Sequence, residues 1–79
     1  MYSREYVIGT IDNVKKVVNI ASGCIEDIDP VKGRYVVDMK SILGVFSLDL
    51  SRPAEVHVYT EDEARAEEIF AKIDEALRG

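Results

Sequence analysis

Within its C-terminal third the chain switches hydrophobic period once, and that switch narrows the folds open to it more than any other feature. From Ala54 to Tyr59 polar and apolar residues alternate with Val56 and Val58 on one side, the period-two pattern of a strand with one buried face. Thr60 and Glu63 then stand at capping-box spacing, and Glu61 and Asp62 suit the positive end of a helix. Ala66, Ile69, Phe70, Ile73 and Leu77 recur on one helical face until Arg78-Gly79 ends it. A one-faced strand joined so closely to a one-striped helix buries both surfaces by packing one element on the other. The chain has 79 residues. A domain of this size buries only about 60% of its unfolded surface, so nearly every periodic apolar residue belongs to one core. The expectation is a single domain over residues 1–79.

The rest of the chain supplies the partners of that pair. Tyr6-Val7-Ile8 centres a first strand that Gly9 ends. Val14, Val17, Val18 and Ala21 then form the stripe of a first helix, with Asp12 or Thr10 as N-cap and Gly23 as its stop. The acidic run Glu26-Asp27-Ile28-Asp29-Pro30 and the segment Arg34 to Met39 read as a hairpin turning at Lys32-Gly33. Tyr35, Val37 and Met39 share a face, and Pro30, lacking an N–H donor, is confined to a strand end or sheet edge. Ser41 caps a short second helix, from which Leu48-Asp49-Leu50 leads into the fourth strand. The order βαββαβα predicts an α+β open-faced sandwich, a four-stranded antiparallel sheet with helices on one face.

Charge and composition exclude several functions. A net charge of −5, with acids spread along the chain, argues against nucleic acid, although Arg34, Lys40 and Arg52 allow a small basic patch. No run is long and apolar enough for a membrane span and none resembles a signal peptide, so the protein is expected in the cytoplasm. Cys24 is the one cysteine, without a partner or an evident base, and reads as a small buried or edge residue. His57 is the one histidine. It lies between two core valines and so points to the other face of the sheet as a solvated strand residue, with no second metal ligand at useful spacing. Glu26, Asp27 and Asp29 read as a charged, aggregation-resistant strand face without a pocket. Neither a metal nor a cofactor is expected.

The segment Gly33 to Met39 followed by Lys40-Ser41-Ile42-Leu43-Gly44-Val45 resembles HPr, the phosphocarrier of the sugar phosphotransferase system, in which a K-S-I-M-G-V run carries a regulatory serine. The family's G-[IL]-H-A-R-P motif supplies its phospho-accepting histidine, and the corresponding stretch here is Gly9-Thr10-Ile11-Asp12-Asn13. Offset from Ser41 places Thr10 at the histidine position, Asp12 at the arginine and Asn13 at the proline. Asp12 stabilises a first helical turn by about 0.3–1 kcal/mol but repels an incoming phosphate. The resemblance therefore implies an HPr-like member without the phosphohistidine, not an enzyme.

For Ser41 two readings stand side by side. Its hydroxyl caps the short helix, contributing about 1 kcal/mol, or it is the substrate of an HPr serine kinase, as the resemblance implies. A helix this short cannot turn Ile42, Leu43 and Phe46 inward while Val45, Leu48 and Leu50 also occupy the core. By resemblance Ile42, Leu43 and Phe46 lie where the serine kinase, enzyme I or a transcriptional regulator docks. The expected function is that of a non-catalytic regulatory protein phosphorylated on Ser41. The alternative is an unphosphorylated interaction or assembly module, a homodimer or complex subunit, using the same patch or the sheet face around His57 and Tyr59.

Overall fold

A computed structural model describes residues 1–78. Its elements run β1 (Tyr2–Tyr6), α1 (Ile11–Ser22), β2 (Ile28–Lys32), β3 (Tyr35–Val36), α2 (Ile42–Phe46), β4 (Ala54–Val58) and α3 (Glu63–Arg78). The strands form one antiparallel sheet in the order β1-β4-β2-β3, so the expected α+β architecture is the one observed. Val14, Val17 and Ala21 of α1 meet Ala66, Ile69, Phe70 and Ile73 of α3 over Ile28, Val56 and Val58 of the sheet, all of them buried. Met39 and Val45 close the same core from the segment that holds α2. Gly79, expected at the end of the last helix, lies outside the described residues.

Three features differ from expectation. β1 is centred on Arg4 rather than Val7, because its inward positions Tyr2, Arg4 and Tyr6 bury apolar bodies while the polar ends of Arg4 and Tyr6 reach α3. The Tyr6 hydroxyl donates to Asp74 Oδ1 at 2.6 Å, and Arg4 reaches Glu67 at 3.1 Å and Asp74 at 3.2 Å with its guanidinium 4.7 Å from the Phe70 ring. The cap of α3 is Asp62, whose Oδ1 accepts from Arg65 N at 3.2 Å; Thr60 instead accepts from Asp62 N one turn earlier. Gly23 stops α1 as expected, in an ordinary right-handed conformation.

Pro30 is the third difference. It sits in the middle of β2, an interior strand, and not at an end or edge. Its carbonyl accepts from Val37 N at 3.2 Å, so its nitrogen faces the same side, toward β3, and the return bond to Val37 cannot form. Toward β4 it faces Val56 at a position that needs no N–H from it. The missing bond falls where β3 stops, which is why that strand keeps only Tyr35 and Val36. The register keeps Tyr35, Val37 and Met39 on one side of the sheet as expected, but Tyr35, at the end of β3, is exposed while Met39 is fully buried.

Candidate functional site

The segment after β3 is drawn back toward the sheet by Met39 N, which donates to the Ile28 carbonyl at 2.8 Å, and Asp38 Oδ1 then accepts from Lys40 N at 2.9 Å. These bonds fix the entry to α2. Ser41 is its N-cap in extended conformation, and its hydroxyl oxygen accepts from Gly44 N at 3.1 Å. Gly44 packs closely on the cap: a Cβ there would stand 3.3 Å from Ser41 Oγ, a tight contact, and 3.5 Å from Val37 Cβ. At the other end, Ser47 Oγ donates to the Gly44 carbonyl at 2.5 Å.

A five-residue helix anchored in this way turns only Val45 fully inward. Ser41 is exposed, and beside it Leu43 is 79% exposed, Ile42 39% and Phe46 36%. Leu48 and Leu50 are half-buried, and the Leu50 carbonyl accepts from Gly9 N at 2.8 Å, tying the loop before α1 to the chain leaving α2.

Thr10 lies at the N-terminus of α1, where its Oγ1 accepts from Asn13 N at 3.1 Å and its carbonyl from Val14 N at 3.0 Å. Of the two caps considered for this helix the structure uses Thr10, and Asp12 occupies the first turn, exposed. Asn13 Nδ2 donates to the Ile8 carbonyl at 2.7 Å, closing the loop across Gly9, whose φ of 87° favours glycine. Thr10 and Ser41 are thus both helix caps, one on each of two helices that pack on one another.

His57 lies on the sheet face away from the helices, as its strand position predicts, but it is less solvated than expected, its side chain being 17% exposed. Its Nε2 is 3.0 Å from Glu55 Oε2 and its ring centroid 6.3 Å from that of Tyr59. Cys24 is buried, its thiol donating to the Ile20 carbonyl at 3.3 Å. Glu26 does not belong to a strand face. It precedes β2 and takes a two-point contact from Arg65 of α3, at 2.9 and 3.1 Å, which holds its carboxyl below the usual range. That pair escapes sequence reading because its members are far apart in the chain. Among the described residues no three His, Cys, Asp or Glu side chains are placed to hold a metal ion, and no helix is long and apolar enough to cross a membrane.

Comparison with known proteins agrees with this geometry. No curated protein matches the sequence. The structure is similar to that of HPr-C-His from Thermoanaerobacter tengcongensis, with a TM-score of 0.78 and 22% identity over 100% of this chain and 98% of that one. It is also similar to the histidine-containing phosphocarrier protein of a Mycoplasma, with a TM-score of 0.71 and 15% identity over 96% of this chain and 97% of the other. At those identities the likeness is one of fold. The family model for the PTS HPr component phosphorylation site matches residues 12–78, a span that contains Ser41 and α2 and begins just after Thr10. With that match over most of its length and the fold to go with it, the chain belongs to the HPr family of the phosphotransferase system.

Proposed function

We propose that this chain is a regulatory member of the HPr family that carries no phosphohistidine, is phosphorylated on Ser41 by an HPr serine kinase in the cytoplasm, and is read by protein partners through Ile42, Leu43 and Phe46. HPr-family proteins are phosphocarriers rather than catalysts, and the proposal keeps that character while moving the phosphoryl group from a ring nitrogen to a hydroxyl. The observation that carries it is the exposure of Ser41 beside a leucine that is 79% exposed, at the cap of a short helix. A phosphate there adds about 1.5 to 2 negative charges next to an apolar contact surface, enough to reverse the preference of a docking partner. Thr10 and Asp12 support the loss of the histidine route: a threonine hydroxyl stands at the cap of α1, and a carboxylate in the next turn repels phosphate.

Incubation with an HPr serine kinase and ATP tests the proposal by intact mass. The expected result is one added phosphoryl group, absent in Ser41→Ala and resistant to acid. An unchanged mass, with an HPr control fully modified, leaves Ser41 as a cap alone. The exposed leucine also favours a second reading, an assembly module that is never phosphorylated, in which case sedimentation of the unmodified chain shows a dimer that Leu43→Ala disperses.

A further inference from the structure

Helices cover one face of the sheet, and the register identifies what stands on the other. Ser3 of β1 is opposite His57 of β4, and His57 is opposite Asp29 of β2. In the next row Glu5 is opposite Glu55, Glu55 opposite Val31, and Val31 opposite Val36 of β3. Pairing continues past the strand ends: Tyr59 N donates to the Asp27 carbonyl at 3.0 Å, and the Val37 and Met39 N–H groups donate to Pro30 and Ile28. These bonds set Asp27 beside Tyr59 and Asp38 beside Asp29 on the same open face. The face therefore gathers Glu5, Asp27, Asp29, Asp38 and Glu55 around His57, and no lysine or arginine occupies any of these positions.

Elsewhere several carboxylates have arginine partners. Arg4 meets Glu67 and Asp74, and Arg65 meets Glu26 and Glu68. On the open face the one ion-pair contact among the described residues is His57 with Glu55. Burial first, then repulsion from Asp38 and Asp27, raises the Asp29 carboxyl above its usual range, so this charge is held against its own preference. Protection against edge-to-edge pairing explains Glu5 on the edge strand β1, but Asp29 lies on β2, flanked by β4 and β3. Aspartate is also among the residues that strands disfavour. His57 stands opposite Asp29 and offsets part of that repulsion, but no lysine or arginine is paired with it, and a local rule broken in the middle of a sheet is what a functional surface produces.

We propose that the open sheet face is a docking surface for a basic protein segment, with Asp29, Asp38 and Glu55 meeting its lysine or arginine side chains and Val36 and Tyr59 packing against its apolar positions. The sign of the charge selects the partner: nucleic acid and anionic lipid are repelled. The charge is spread over several strands with no metal-holding group among the described residues, which fits a segment presenting several cations rather than a single ion. Val36 is 58% exposed and Tyr59 44%, so an apolar margin borders the acidic centre. This face lies on the side of the sheet away from the helix layer, so it does not depend on Ser41 or on the reading of α2.

The test is an NMR titration of the labelled full chain with a terminally blocked peptide of alternating arginine and valine. Amide shifts are expected along Asp27–Val31, Val36–Asp38 and Glu55–Tyr59, with affinity falling as salt is raised. Asp29→Asn with Asp38→Asn should weaken binding by about fivefold or more, while Glu63→Gln with Glu75→Gln, the same change of net charge placed on α3, leaves it within about twofold. Asp29→Thr should weaken binding and at the same time raise the urea midpoint, the signature of a residue kept for contact rather than for stability. Shifts centred on α3, equal weakening by the two double variants, or no binding at low salt overturns the proposal, as does a lowered urea midpoint in Asp29→Thr.

Discussion

Replacing Ser41 by alanine removes the oxygen that accepts from Gly44 N and is expected to cost about 0.5–2 kcal/mol, whether or not the residue is ever phosphorylated. Stability alone therefore does not distinguish a cap from a kinase substrate. Ser41→Asp separates the two, because aspartate caps as well as serine does while carrying a charge in the phosphate's position. Its urea midpoint should stay near that of the wild type as the alanine variant falls, and partner recovery in a pull-down should change in the aspartate variant alone. Equal loss of stability in both variants would mean that the cap geometry requires the hydroxyl itself. The serine and its helix were legible in the sequence, since a cap and a following apolar run are local signals. The close packing of Gly44 against Ser41 and Val37 was not, because it depends on how the chain returns from β3.

At the scale of elements, the helix stripes and the β4 alternation were read correctly because each repeats over enough residues to fix its own period. The first strand was misplaced for a physical reason: its inward side is Tyr2, Arg4 and Tyr6, amphipathic residues that a search for apolar alternation passes over. The same residues show what Phe70 does. It is 2% exposed, contacts the Arg4 guanidinium and packs near Tyr6. Phe70→Ala is expected to cost about 3–5 kcal/mol, whereas Leu43→Ala on the outer side of α2 should stay within about 0.5 kcal/mol. Phe46, at 36% exposure, belongs between them and nearer to Leu43. Urea midpoints measure all three. Should Leu43→Ala fall as far as Phe70→Ala, the α2 surface is core and cannot serve as a docking site.

Across the whole molecule two carboxylates, Glu26 and Asp29, respond to pH with opposite sign. Glu26 is held below its ordinary value of 4.5 by hydrogen bonds from Arg65, so it favours the folded state above that value and the contribution is lost as pH falls through its lowered folded value. Asp29 is raised above its ordinary 3.8 by burial and by Asp38 and Asp27, so its contribution is favourable below 3.8 and is lost as pH rises through its raised folded value. Neither sign follows from composition. Both carboxylates stand in the same acidic run of the sequence, and their fates diverge because Arg65 arrives from α3 at Glu26, while Asp29 is partly buried among other carboxylates with His57, and no arginine or lysine, opposite it. Two variants separate these contributions by urea unfolding at pH 7 and pH 3. Glu26→Gln should lower the midpoint at pH 7 and have a smaller effect at pH 3, where the wild-type carboxylate is already losing its charge. Asp29→Asn should raise the midpoint at pH 7, and that gain should shrink at pH 3 as protonation relieves the wild-type repulsion. Parallel shifts of one sign in both variants would mean that the net charge of −5, and not the local arrangement of partners, governs stability.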